Sequence, residues 1–273
     1  MSWIKRELGH LGIPPLKRFG QHFLIDKRVR DAMITTARLS GEDELLEVGP
    51  GLGFLTEELV KHAGRVVAVE KDRTLVKYLK QHFSTVRNLE IIQGDALTVG
   101  KAGCTKLVSS PPYNISSNLV LFITRNRFNT SVLLFQDEFV KRLTAKSGSR
   151  EYGRLTVALQ VHADAEIVMK VPRSAFYPSP RVDSALVTIK PRNDLIQKIG
   201  NPALLEDLVR SLFTQRRRRL NKVLKKYIES RYPHGSNSIL SQIKVPEKRV
   251  FQMNPTELVE LANEIARTLR EEV

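Results

Sequence analysis

One cysteine, one tryptophan, four methionines and 29 acidic side chains set against 44 basic ones are what this 273-residue chain has little of. Cys104 stands alone, so no internal disulfide forms, and no histidine or cysteine lies near it at metal-ligand spacing. No metal site is expected. No stretch approaches the roughly 20 consecutive apolar residues of a spanning helix, so a membrane protein is not expected. The N-terminus carries Lys5, Arg6 and Pro14-Pro15 where a secretory signal has an apolar core. Internal repeats and low-complexity tracts are absent. These absences point to a soluble, cytoplasmic protein. The shortage of acids leaves a formal charge of +15, which calls for a polyanionic partner, nucleic acid or an anionic membrane surface. A hydrophobic share of 41% is enough for a sizeable core, in one domain or two.

What is present centres on Glu47-Val48-Gly49-Pro50-Gly51-Leu52-Gly53-Phe54. The apolar run Leu45 to Val48 reads as a buried parallel strand. Phe54, Leu55, Leu59 and Val60 then recur at helical spacing. A strand, a glycine loop and a helix make a unit in which the backbone turns sharply and approaches a ligand closely. The spacing is Gly-x-Gly-x-Gly rather than the dinucleotide fingerprint Gly-x-Gly-x-x-Gly. Glu47, two places before the first glycine, suits a cationic ligand part better than a pyrophosphate. The stretch resembles motif I of S-adenosylmethionine-dependent methyltransferases. Taken alone, it also fits a tight turn that binds nothing.

Downstream residues supply partners for that loop. Val66 to Val69 is a second buried strand, ended by Glu70. A nucleotide-binding sheet places there the carboxylate whose two acceptor oxygens match a ribose diol. Thr74 to Phe83 reads as a helix, and Leu89 to Gln93 as a strand leading into Gly94-Asp95-Ala96. Asp95 is equally an acceptor for an adenine amine and a turn former or cap. Lys106 to Ser109 is a fourth strand, running into Ser110-Pro111-Pro112-Tyr113. Two prolines stiffen this turn and remove two donors, leaving carbonyls and the Ser110 hydroxyl as acceptors beside the Tyr113 ring. Such a turn fits an amino group on a flat base. Asp26 is the expected N-cap of a helix from Lys27 to Leu39. Strands are expected at Ser131 to Gln136, Ala165 to Val171 and Ala185 to Lys190, the last two as a hairpin, with helices over Asp137 to Ala145 and Arg154 to His162.

Ser110-Pro111-Pro112-Tyr113 resembles motif IV of the amino-methyltransferases acting on adenine N6 or cytosine N4. Gln21-His22-Phe23-Leu24, Glu47 to Gly53, Glu70, Gly94-Asp95-Ala96 and Phe176-x-Pro178-x-Pro180-x-Val182-Asp183-Ser184 together resemble, over nearly the whole chain, the ribosomal RNA adenine N6,N6-dimethyltransferases. The chain departs from that family's common Asn-Leu-Pro-Tyr at Ser110-Pro111, and from its frequent Asn at His22. The resemblance implies an α/β fold: a Rossmann-like class I methyltransferase sheet with a small C-terminal all-helical domain. It implies S-adenosylmethionine as cofactor, held by His22, Leu24, Glu47, Gly49, Gly51, Glu70, Asp95 and Ser110. It places Ser110, Pro111, Tyr113 and Phe176 at the reacting base. The implied substrate is a pair of adjacent adenosines near the 3′ end of small-subunit ribosomal RNA, within an immature subunit, and the protein is expected to be monomeric.

After about Pro191 the composition turns helical and basic. Leu204, Leu205, Leu208, Val209 and Leu212 form an apolar stripe, followed by Arg216-Arg217-Arg218-Arg219 and Lys222. An arginine run is often a solvated helix face, but in so basic a chain phosphate contact is favoured. The expected division is 1–192, the methyltransferase domain with a basic N-terminal arm, and 193–273, a helical RNA-binding domain, with a linker near Asn193. Two other readings remain: an RNA-binding assembly factor with weak or lost activity, and an adenine N6-methyltransferase of large-subunit ribosomal RNA or DNA.

Overall fold

The computed structural model describes residues 2–10, 12 and 21–271. Of the expected basic arm, Pro14, Pro15, Lys17, Arg18 and Gly20 lie outside the described residues, as does the side chain of Lys5. The chain forms two compact units, Met1–Val140 with Ala165–Pro191, and Lys141–Asp164 with Arg192–Val273. Lys141–Asp164 thus belongs with the C-terminal helices, which a division at 192/193 alone misses. Asn193, expected in a linker, opens a one-turn helix whose Leu195 is buried.

In chain order the first unit contains α1 (Ser2–His10), β1 (Phe23–Leu24), α2 (Lys27–Ala37), β2 (Glu44–Val48), α3 (Thr56–His62), β3 (Arg65–Glu70), α4 (Arg73–His82), β4 (Leu89–Gln93), α5 (Ala96–Val99), β5 (Lys106–Ser109), α6 (Ser116–Asn126) and β6 (Thr130–Gln136). After α7 (Asp137–Leu143) and α8 (Arg154–Gln160) come β7 (Ala163–Val171), β8 (Phe176–Tyr177) and β9 (Ser184–Pro191). Seven strands form one sheet in the order β4-β3-β2-β5-β6-β9-β7. The pairs from β4 to β6 are parallel, and β9 joins β6 antiparallel. Helices cover both faces of a parallel sheet, so its central strands are apolar throughout rather than alternating. Leu45, Leu46, Val66, Val67, Leu107 and Val108 are all fully buried.

Strand order reverses at β2, which has β3 on one side and β5 on the other. In open parallel sheets ligands bind outside the carboxyl ends of the strands at such a reversal. The glycine loop leaves β2 there and Ser110-Pro111-Pro112-Tyr113 leaves β5. The Ser109 hydroxyl, fully buried, donates to the Val48 carbonyl at 2.5 Å and ties the two strand ends together.

Capping sets the helices against these strands. Asp26 accepts from the Arg28 N–H at the start of α2, as expected from sequence, and Val29, Met33 and Ala37 bury the same face one turn apart. Asp72 caps α4 through the Thr74 and Leu75 N–H groups. The helix after the glycine loop begins only at Thr56: Phe54 and Leu55, expected within it, belong to the preceding turn. The ribbon of β1 on β8, with Phe23 opposite Tyr177 and Leu24 opposite Phe176, has no counterpart in the sequence reading. Ile4 and Leu8 of α1 pack with Phe23, Leu52 and Leu75.

The second unit is all-helical apart from the start of β7. It contains α8, α9 (Asn193–Ile196), α10 (Pro202–Phe213), α11 (Leu220–Arg231), α12 (Ser236–Gln242) and α13 (Pro255–Glu271). The stripe Leu204, Leu205, Leu208, Val209 and Leu212 is buried in its core. Tyr152 is fully buried there too, its hydroxyl donating to the Met253 carbonyl at 2.9 Å.

Candidate active site and nucleic-acid interface

A cleft of about 1140 Å³, counted to its open mouth, lies at the carboxyl ends of β2, β3, β4 and β5. His22, Leu24, Glu47, Gly49, Gly51, Glu70, Asp95 and Ser110 all line it, so every residue expected to hold the cofactor is in its wall. Two of the glycines shape that wall. Gly49 (φ +71°) donates its N–H to the Val69 carbonyl, and a Cβ on it would lie 3.2 Å from Pro112. The glycine loop therefore packs on the proline turn. Gly51 (φ +62°) lies beneath Phe23, whose ring would meet a Cβ at 2.9 Å. Both need a left-handed backbone and close approach.

Glu70 is held rigidly. Its Oε1 accepts from the Lys71 and Asp72 N–H groups at 2.8 and 2.9 Å, and its Oε2 from the Gly51 N–H at 3.2 Å. Burial raises its pKa, and the three N–H bonds oppose that rise. Oε2, with one donor, keeps a free lone pair, whereas Oε1 already accepts two bonds. Glu47 is 1% exposed and its carboxyl is pushed up to about 8, by desolvation first, with the charge of Glu70 adding to the rise. The Thr56 hydroxyl donates to its Oε2 at 2.7 Å and opposes the shift. Burial thus favours the neutral form of Glu47, whereas a cationic group placed beside it would favour the carboxylate. Of the two readings left open for Asp95, the cap is observed, and its place in the cleft leaves the other open. Asp95 lines the cleft, and it caps α5 by accepting from the Leu97 N–H at 3.0 Å. Its other oxygen accepts from Lys71 at 3.3 Å.

Of the residues expected at the reacting base, Ser110 lines the cleft and is half-buried, and its hydroxyl makes no hydrogen bond among the described residues. Pro111, Tyr113 and Phe176 are not in the wall. Tyr113 stacks on the His22 ring (centroids 5.6 Å apart, 30° between planes) and meets Phe176 edge-on at 6.3 Å. Phe176 is 2% exposed and packs in the core of the first unit, so it backs Tyr113 from within. His22 Nδ1 lies 2.7 Å from the Pro178 carbonyl, which can only accept, so Nδ1 is the protonated nitrogen. The Tyr113 hydroxyl lies 2.6 Å from Ser184 Oγ. Gln21, Lys71, Asp72, Asn114 and Ile115 also line the cleft and were missed. Gln21 lies within a recognised motif and the others directly follow one, and that placement is the signal that would have found them. Ile4 lines it as well, from α1, with no sequence signal.

The arginine run in the second unit is not a helix face. It links α10 to α11 and forms an isolated antiparallel bridge, Arg219 opposite Arg249. Leu220 N–H donates to the Lys248 carbonyl and Val250 N–H to that of Arg218. Arg217, Arg218, Arg219 and Lys222 are exposed. Arg216 differs: its guanidinium donates to the Tyr152 carbonyl within the same unit. No group of acidic, histidine or cysteine side chains among the described residues could hold a metal ion, and no described helix is long and apolar enough to cross a membrane.

Comparison with known proteins gives concordant matches. The family model described as ribosomal RNA adenine dimethylase matches residues 16–266. A Pyrococcus abyssi protein named "Probable ribosomal RNA small subunit methyltransferase A" is 44% identical over 93% of both chains. Among solved structures, a dimethyladenosine transferase from Plasmodium falciparum matches with a TM-score of 0.81 at 26% identity, covering 90% of this chain and 98% of its own. The 23S rRNA methyltransferase ErmE matches with a TM-score of 0.68 at 28% identity, covering 89% and 99%.

Proposed function

This chain belongs to the ribosomal RNA adenine dimethylase family, and on that premise we propose that it methylates N6 of two adjacent adenosines near the 3′ end of small-subunit ribosomal RNA, placing two methyls on each. The observation that carries the site reading is the contact between the glycine loop and the proline turn. Gly49 packs against Pro112, so the loop that would hold the methyl donor and the turn that would hold the amine share one cleft. The Glu70 carboxylate at the end of β3, the positive-φ glycines and the apolar Leu24 wall fit S-adenosylmethionine. Glu70 would hold the ribose diol, Asp95 the adenine amine, and His22, Leu24, Glu47, Gly49, Gly51 and Ser110 the remainder. When bound, the cofactor supplies a methyl group already activated by its sulfonium.

The chain's own task is to make a poor nucleophile react. The adenine amine has its lone pair delocalised into the ring. Ser110 Oγ and the Pro111 carbonyl would accept its two N–H groups and favour a tetrahedral nitrogen, while Tyr113, backed by Phe176, would hold the ring. Positioning and stabilisation of the developing ammonium then carry the rate. In the second unit Arg217, Arg218, Arg219 and Lys222 would neutralise phosphates. Arg216, expected with them, would act mainly by fixing the segment. The substrate would be an immature small subunit in the cytoplasm, bound by a monomer. A large-subunit target finds support in the fold likeness to ErmE, and the small-subunit reading in the higher identity to the Pyrococcus protein. Incubation with labelled S-adenosylmethionine and separate immature small and large subunits, followed by mapping of modified bases, tests the proposal. Paired dimethyladenosines near the 3′ end of the small-subunit RNA are expected. Label only in large-subunit RNA would transfer the reaction to that target, and none in either would leave the assembly-factor reading.

A further inference from the structure

We infer that Ser184 is a positioning residue for the reaction: through its hydroxyl it fixes the plane and depth of the Tyr113 ring on which the target base stacks. This rests on the function proposed above. Ser184 opens β9 opposite Gln136 of β6, and it is fully buried. A buried hydroxyl needs a partner, and the one it has is the Tyr113 hydroxyl at 2.6 Å. Among the described residues the Tyr113 ring also stacks on His22 and meets Phe176 edge-on. Ring contacts of that kind set distance and leave sliding within the plane soft, whereas a hydrogen bond at the para position removes that freedom. The Tyr113 hydroxyl is itself held protonated by its surroundings, so it serves here as an anchor. The ring follows the rigid Ser110-Pro111-Pro112 turn at one end and is pinned to the sheet at the other. A base stacked on it would be aligned with the acceptors at Ser110 and Pro111. Small misplacement of a reacting group can cost on the order of 100-fold in rate, so loss of the anchor should appear in the chemical step.

The test is a double-mutant cycle on the full chain with Ser184→Ala, Tyr113→Phe and both together, and Ser184→Thr as the conservative variant that keeps the hydroxyl. Single-turnover methylation of immature small subunits, S-adenosylmethionine affinity by calorimetry and thermal melting are measured for each. Each single variant should slow methylation by roughly tenfold, with cofactor affinity within about twofold. The double variant should be no slower than the singles, because both remove one and the same bond. Ser184→Thr should recover most of the rate. Wild-type rate in Ser184→Ala, losses that multiply in the double variant, or a fall in cofactor affinity matching the fall in rate would each overturn the inference. A wild type that methylates no ribosomal RNA would overturn the proposed reaction and this inference with it, whereas an active wild type matched by Ser184→Ala overturns the inference alone.

Discussion

Glu70 and Glu47 line one cleft, yet their surroundings give the two carboxyls different tasks. Three backbone N–H groups hold Glu70 and favour its charged form against the cost of burial. Its replacement by alanine should weaken S-adenosylmethionine binding by about 1–3 kcal/mol, the range for hydrogen bonds to a charged group. Calorimetry on a folded Glu70→Ala protein with unchanged affinity would remove the ribose role. Glu47 has, among the described residues, the Thr56 hydroxyl alone, and burial pushes it up to about 8 from an ordinary 4.5. Between those two values the folded protein binds the proton and the unfolded chain does not. Stability from this group is therefore full below about pH 4.5 and is lost as pH rises towards and through 8. The slope contributed within that window is at most about 1.4 kcal/mol per pH unit. Glu47→Gln, neutral in both states, should flatten stability against pH there. Denaturant titrations of both proteins from pH 5 to 8 check this, and equal slopes would place a proton acceptor other than Glu47 behind any pH dependence.

At the scale of elements, the central parallel strands were legible because they are apolar along their whole length, and the ends of β4 and β5 fall where the sequence puts them. The proline turn and the glycine loop were legible because Gly and Pro constrain the backbone directly. What escaped was long-range or local in another way. The ribbon of β1 on β8 is two residues per strand, too short for any periodicity. Helix α1 reaches the cleft through Ile4, which nothing in a nine-residue segment announces. The bridge between Arg219 and Arg249 depends on the folded path of the second unit, so a run of arginines alone does not announce it. The hidden ribbon has a measurable consequence. It fixes Phe23 over Gly51, whose φ is +62°. Gly51→Ala should destabilise the first unit by roughly 1–2 kcal/mol from the left-handed backbone alone, with more from displacement of Phe23. Reduced melting temperature together with weaker cofactor binding is expected, and an alanine variant equal to wild type in both would show that the loop and ribbon move independently.

At the scale of the whole molecule, the arginine run and the methyl-transfer cleft are separable. The cleft belongs to the first unit and the arginine run to the second. Arg217, Arg218 and Arg219 are exposed and make no ion pair among the described residues, so they are free to neutralise phosphates. Arg216 is engaged with the Tyr152 carbonyl, in a segment whose core includes that fully buried tyrosine. The four arginines, alike in sequence, should therefore divide in experiment. Each phosphate contact contributes roughly 0.7–0.9 to the slope of log affinity against log salt. Replacing Arg217, Arg218 and Arg219 with glutamine should lower that slope for immature subunits by roughly 2–3, with S-adenosylmethionine affinity unchanged. Arg216→Gln should leave the slope nearly as it was and lower the melting temperature, because it leaves a backbone carbonyl without its donor. Filter-binding at several salt concentrations, alongside thermal melts, separates the two. A slope unchanged by the triple replacement would assign the phosphate contacts to another surface, and a slope lowered by Arg216→Gln alone would show that its guanidinium turns outward to the RNA.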